Sequence, residues 1–344
     1  MKTKPSLFSR AKPGTKTPVR KKRRGFLDLP SELRNEVYRF YFPDDIRCEL
    51  VAAGTDFDPL GHKIMKLGLI PVWPCYSENG KKPKLVPFEP RTSMKLRISR
   101  RLATSKYERI DWLRTKWPSS FSALILVSKQ IYQESIAFLY QSTTFVFSAP
   151  VRINNFLKVL PATNLALITK LELHYNNYGP ASWPPHIKDV IGQHRKAWAG
   201  ACKTAAKQMV NLRELHMWMY ITDSPLFFDL RQDWLTPFLS FRRWLPATQT
   251  DVPNIGALDA KVGTDKGLAL VNVYFDTWWS RPDALSYMPE LPEASADLHN
   301  LFGKAIGRTI MGASEEEAMA EFREAWDGKY AHWKHHLRFS TTGW

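Results

Sequence analysis

Three features of this 344-residue sequence predict an α/β fold. Short runs rich in β-branched and aromatic residues recur at 144–148, 167–175, 212–221 and 268–275, as strands do. Between them lie longer segments whose apolar residues repeat every three or four positions, the helical period. Strands separated by helices favour a mostly parallel sheet. A chain that is 44% hydrophobic at this length can also bury a sizeable core, enough for one large or two modest domains.

The elements follow in order. Residues 1–25 carry ten Lys or Arg and no acid, with three prolines, and are expected to be a disordered tail. Its cluster Arg20, Lys21, Lys22, Arg23 and Arg24 has the density of a nuclear-import signal, which predicts a protein that is nuclear, or shared between nucleus and cytoplasm. A solvated tail touching RNA or acidic surfaces is the alternative; a mitochondrial presequence is disfavoured because the prolines spoil the helix it needs.

A helix follows, with Asp28 as the expected cap and Pro30 in its first turn, where a missing N–H costs nothing. Leu29, Leu33, Val37, Phe40 and Tyr41 share one face, and Glu32, Arg34, Glu36 and Arg39 share the other. The stretch 43–118 reads as an insertion. Its first part, 51–70, suggests an irregular hairpin interrupted by Gly and Pro. Residues 93–117 suggest a basic surface helix, with Arg97, Arg100, Arg101, Lys106, Arg109 and Arg114 among scattered leucines. Its alternative role is a docking surface for anions, either nucleic acid or an acidic partner.

From Leu124 through Val127, Ile131, Ile136, Leu139 and Tyr140 the spacing is again helical. Gln141-Ser142 breaks it before the strand that begins the α/β layer. That layer continues with a helix over 151–160, the strand at 167–175, and a long helix whose face holds Ile187, His194, Trp198, Cys202 and Met209. After the strand at 212–221 come a helical region over 225–245 and the nearly continuous apolar run 268–275, as expected of a strand covered on both faces. A capped helix over 314–338 closes the chain, with Ser314 and Glu317 as the capping box.

No nucleotide loop, nucleophile elbow or zinc-protease motif occurs, so no catalytic residue and no cofactor is expected. His332, His335 and His336 lack a Cys or carboxylate within the same turn, and no metal site is expected from them. His174 and His216 occupy matching places in two strand motifs and are expected on one side of the sheet as satisfied polar residues. Cys48, Cys75 and Cys202 are an odd, scattered set, which argues for buried thiols and against a disulfide framework. No apolar run is long enough to span a bilayer, so a soluble, intracellular protein without membrane contact is expected.

Two separated pieces carry a family resemblance. The first is FLDLPSELRNEVY at 26–38; the second is LILVSKQIYQES at 124–135, followed by LYQSTTFVF at 139–147. Together they resemble the fungal F-box-like proteins, which open with an LP-x-E-[LI]-R-x-x-[IV]-Y helix and continue with a [LV]-x-x-[SC]-[RK]-Q-[IV]-x-x-E helix and a strand. The pattern L-x-L within 168–173 also resembles leucine-rich repeats, although spacings of roughly 26, 44 and 56 residues are too uneven for a regular solenoid.

The resemblance implies a non-enzymatic substrate-recruiting adaptor of a cullin-RING ubiquitin ligase, a monomer outside that complex. It places the ligase-adaptor contacts on Leu29, Pro30, Leu33, Val37, Val127 and Ile131. The expected organisation is a tail at 1–25, an F-box-like helical unit at 26–148 with its insertion at 43–118, and an irregular leucine-rich-repeat-like α/β domain at 149–344. The two helices of the unit are expected to meet through their apolar faces. The α/β layer would present a surface to a substrate protein. Rival readings are a nuclear protein that binds nucleic acid through the tail and the basic insert, and a structural scaffold without ligase binding.

Overall fold

A computed structural model describes residues 25–42, 46–52, 94–101, 104, 106–110, 123–177, 185–221, 228–242, 267–277 and 290–334. Its strands are β1 (Ile46–Ala52), β2 (Met94–Arg101), β3 (Tyr107–Ile110), β4 (Thr143–Phe147), β5 (Lys170–Asn177), β6 (Glu214–Ile221) and β7 (Leu270–Thr277). The helices are α1 (Ser31–Tyr41), α2 (Lys129–Ser142), α3 (Pro150–Val159), α4 (Ala162–Leu165), α5 (Pro185–Gln208), α6 (Thr236–Leu239), α7 (Glu290–Met311) and α8 (Glu315–Asp327).

All seven strands join one mixed sheet in the order β3-β2-β1-β4-β5-β6-β7. From β1 through β7 the neighbours are parallel, whereas β1, β2 and β3 form an antiparallel meander. The expected α/β class holds. Phe145, Leu171, Leu215 and Val271 are successive register partners, so the uneven spacings of 26, 44 and 56 residues are the sheet's own offsets. The turns repeat as well: Glu214 N–H donates to Thr169 O at 2.9 Å and Leu270 N–H to Arg213 O at 3.0 Å.

Strand side chains alternate between faces. One face carries Phe145, Phe147, Leu171, Leu173, Leu215, Met217, Val271 and Val273 into a core shared with Ile153 and Leu157 of α3, Trp198 and Cys202 of α5, and Phe302 and Ile306 of α7. Aromatic edges fill it: Tyr175 meets Trp198 edge-on at 5.6 Å and Phe238 at 5.1 Å. Burial pushes the Cys48 thiol up to about 12 and raises that of Cys202 too, so neither is a thiolate at neutral pH. Cys75 lies outside the described residues.

The insertion departs from expectation. Where the described residues fall within the basic helix predicted over 93–117, they form instead the strands β2 and β3. In Met94-Lys-Leu-Arg-Ile-Ser99 apolar and polar residues alternate, a period of two that the density of charge obscures. Ile98 is buried on the helix side, and Arg97 and Ser99 are buried on the other. The segment therefore extends the sheet, which runs without a break across the boundary expected at 148. The hairpin expected over 51–70 lies almost entirely outside the described residues.

The C-terminal region brings a second difference. α7 has no counterpart in the sequence reading, and α8 ends at Asp327, short of the expected 338. The capping box is present, with Ser314 Oγ accepting from Glu317 N–H at 3.3 Å. Leu270 spends its N–H on the β6 side, so by alternation Val271 and Val273 aim their carbonyls at the sheet's free edge. α7 covers that edge. A Cβ at Gly303 would sit 2.4 Å from Val273 O, and one at Gly307 2.7 Å from Val271 O, so only glycine lets the helix lie this close.

Candidate functional site

Four residues from the two motif pieces build the contact between α1 and α2. Arg34 lies one turn before Tyr38 on α1, and Gln130 one turn before Glu134 on α2. Arg34 grips Glu134 with both arms, Nε to Oε2 at 2.8 Å and Nη2 to Oε1 at 2.9 Å. Tyr38 Oη donates to Oε2 at 2.9 Å, and Gln130 Nε2 donates to Oε1 at 3.0 Å. The remaining guanidinium nitrogen donates to the carbonyls of Leu27 and Leu29, which fixes the chain's entry into α1.

The bidentate pair with Arg34, helped by Gln130, holds the Glu134 carboxyl down at about 2. Burial, reinforced by Glu134, raises the Tyr38 phenol to about 12, so it stays a donor. Tyr38 is 0% exposed, with Phe26 edge-on at 5.8 Å and Phe138 at 5.6 Å. Below it, Phe42, Ile46, Ile98 and Leu139 form a small core that seats the helix pair on β1 and β2.

This clamp corrects the expected packing. The face of α1 that meets α2 is the Arg34–Tyr38 face, not the row of Leu29, Leu33 and Val37. A polar clamp with one buried aromatic leaves that apolar row outside. Leu29 is 38% exposed, Leu33 52%, Val37 42% and Phe40 91%, and Pro30 is exposed as well. Before α2, Leu126 is 60% exposed and Val127 61%. Ile131 differs: at 5% exposed it packs inside, next to the Ser128 cap, whose Oγ accepts the Ile131 N–H. Of the six residues expected to meet an adaptor, five face outward and Ile131 is core. The import cluster Arg20–Arg24 lies outside the described residues.

The sheet face opposite α3, α5 and α7 is polar. Arg47 of β1 reaches over β4, where Thr144 and Val146 present short side chains, to Glu172 of β5 at 2.6 Å. Glu49 pairs with Arg47 at 3.4 Å and with Arg97 of β2 at 3.6 Å. His174 Nε2 lies 2.6 Å from Glu172 Oε1, as its donor, and all five residues are buried. Burial alone would raise the Glu172 carboxyl, but Arg47, His174 and His216 outweigh it and keep it below the usual range.

His174 and His216 do share this face, as expected, and Glu172 is the register partner of His216. Trp218 stacks between His174 (6.2 Å) and Tyr274 (4.5 Å), making an aromatic row across β5, β6 and β7. Every ionised group in this network has an opposite charge beside it, and among the described residues no Ser or Cys bonds to His174 or His216. These pairs tie β1, β2 and β5 together across β4. Among the described residues no three His, Cys, Asp or Glu side chains gather as metal ligands, and no helix is long and apolar enough to cross a membrane.

Fold and site together define a mixed α/β protein in which a clamped helix pair, seated on one end of a sequentially ordered sheet, carries an exposed apolar row. The chain belongs to the DUF7730 family, a domain of unknown function whose model matches residues 21–236. That match takes in the helix pair, the insertion strands and β4 to β6, and it ends where α6 begins. No curated protein and no solved structure matches the chain.

Proposed function

We propose that the protein is a non-enzymatic interaction module, an F-box-like substrate-recruiting adaptor that docks a cullin-ligase subunit through Leu29, Pro30, Leu33, Val37 and Val127. One observation carries this reading. Five apolar side chains stand exposed on a helix pair whose own cohesion comes from Arg34, Tyr38 and Glu134, so the apolar row is not needed to hold the pair together. Apolar residues left outside a satisfied fold mark a place for another protein. The resemblance of the two motif pieces to fungal F-box-like proteins names the kind of partner. The sheet layer, tied rigidly to the helix pair, supplies the second surface that a recruiting protein needs.

The test is affinity purification of the full chain with mass-spectrometric readout. Cullin-ligase subunits are expected with wild type and are expected to be lost with Leu29→Ala/Pro30→Ala. Retention of those subunits by the double variant, or their absence from the wild-type sample, contradicts the proposal.

A further inference from the structure

At the far end of the sheet from the helix pair, a groove of about 540 Å³ opens between β7, α7 and the end of α8. One wall is the strand stretch from Val271 to Tyr274, and the other is the α7 stretch from Asp297 to Lys304. Three strand steps and seven helical steps each span about 10 Å, a trough that matches three or four residues of extended chain. Val271, Val273 and Leu301 give it an apolar lining, and the amide of Asn300 offers a donor and an acceptor, while that of Asn272 is turned to His216 at 3.4 Å.

The charges in the groove are unequal. Among the described lining residues Asp297 is the one acid, and its carboxylate already accepts from Tyr330 Oη and, at 3.3 Å, from Lys329. Tyr330, first, and then Lys329 hold that carboxyl below its ordinary range, so it stays ionised and bonded. Lys304 stands one turn beyond Asn300 and hydrogen-bonds to no group among the described residues. The carboxylate of Glu321, which feels its charge, is taken by Arg308. With Lys329 paired to Asp297, Lys304 leaves the described lining with one net positive charge. Tyr274, 37% exposed, links it to the aromatic row through Trp218.

We propose that this groove binds an extended acidic peptide segment of a partner protein: carboxylates on Lys304 and Lys329, backbone on Asn300, and an aliphatic side chain against Val271, Val273 and Leu301. The site is separate from the helix pair and does not rest on the ligase reading. β7, α7 and α8 also lie beyond the stretch that the family model matches. The binding is therefore a property of this chain's C-terminal region.

The probe is a fluorescein-labelled, N-acetylated hexaglutamate peptide, titrated with the full chain by fluorescence anisotropy at roughly 0.1 M salt, where charges still act over about 10 Å. Lys304→Glu/Lys329→Glu is expected to weaken binding at least tenfold and to create affinity for the matching hexalysine peptide. Lys203→Glu on the exposed side of α5 and Leu33→Ala/Val37→Ala on the helix pair are expected to change nothing. Undiminished binding by the charge-reversed variant overturns the proposal. So does equal loss in Lys203→Glu, or complete loss in Lys21→Glu/Lys22→Glu, which would assign the affinity to net charge or to the tail.

Discussion

Removing Arg47 should leave two carboxylates stranded inside the protein. Its guanidinium bridges Glu49 on its own strand and Glu172 two strands away, with side-chain exposures of 5%, 7% and 10%. Arg97 still neutralises Glu49 at 3.6 Å, but Glu172 would keep only the histidines His174 and His216. Breaking one side of a buried pair typically costs about 3–5 kcal/mol, so Arg47→Met should lower stability by that amount. At about 2–4 °C per kcal/mol, Tm should fall by some 6–20 °C.

Glu172→Met should cost a similar amount, because it strands Arg47. The double variant replaces an ion pair with two packed thioethers and should recover most of the loss, finishing within about 2 kcal/mol of wild type. Urea unfolding of the four proteins, with linear extrapolation, gives the coupling energy directly. The reasoning requires a coupling of at least about 2 kcal/mol. Additive single variants, with coupling under about 0.5 kcal/mol, would refute the claim that Arg47 locks the insertion strands to β5.

Two further predictions concern packing and pH. Gly303→Ala places a methyl 2.4 Å from Val273 O, so α7 must shift off the strand edge; overpacking of about 1–3 kcal/mol outweighs alanine's helix preference of about 1 kcal/mol. Gly192→Ala on α5, where nothing lies within 4 Å, should instead stabilise by up to about 1 kcal/mol, and thermal melts showing the same sign for both would contradict the edge-covering geometry. Burial holds His299 down at about 4 against an ordinary 6.5, so the unfolded chain takes up a proton that the folded one refuses. Stability is then complete above pH 6.5 and falls towards pH 4 by up to about 1.4 kcal/mol per pH unit from this group. His299→Phe should flatten that slope in urea titrations between pH 4 and 6.5, and an unchanged slope would show that the imidazole is not held neutral.

What the sequence made legible follows from how local each signal is. The strand spacings survive as register offsets because each strand keeps its own apolar period, and Ser314 with Glu317 form a cap within four residues of each other. α7 is hard to read from the sequence although Leu291, Leu298, Phe302, Ile306 and Ile310 recur at helical spacing, because no capping signal marks its start and two glycines interrupt it. In the insertion, the density of Lys and Arg masks the strand alternation of 94–99. The orientation of α1 could not be read locally at all. Its buried face is set by Glu134, a hundred residues downstream, and the more hydrophobic face is the one left outside. Ile131 follows from the same cause: once Arg34 and Glu134 fix the helices, it points inward while Val127, before the cap, points out.

The exposed row of the helix pair is tested most directly by titrating the purified cullin-ligase adaptor subunit into the full chain and into Leu33→Ala/Val37→Ala, by isothermal calorimetry. Both side chains are at least 42% exposed, so stability should move by no more than about 0.5 kcal/mol per site. If the row is the docking surface, each anchor contributes about 2 kcal/mol and the dissociation constant rises by roughly two to three orders of magnitude. Wild-type affinity in the double variant, with the fold intact, would contradict the account.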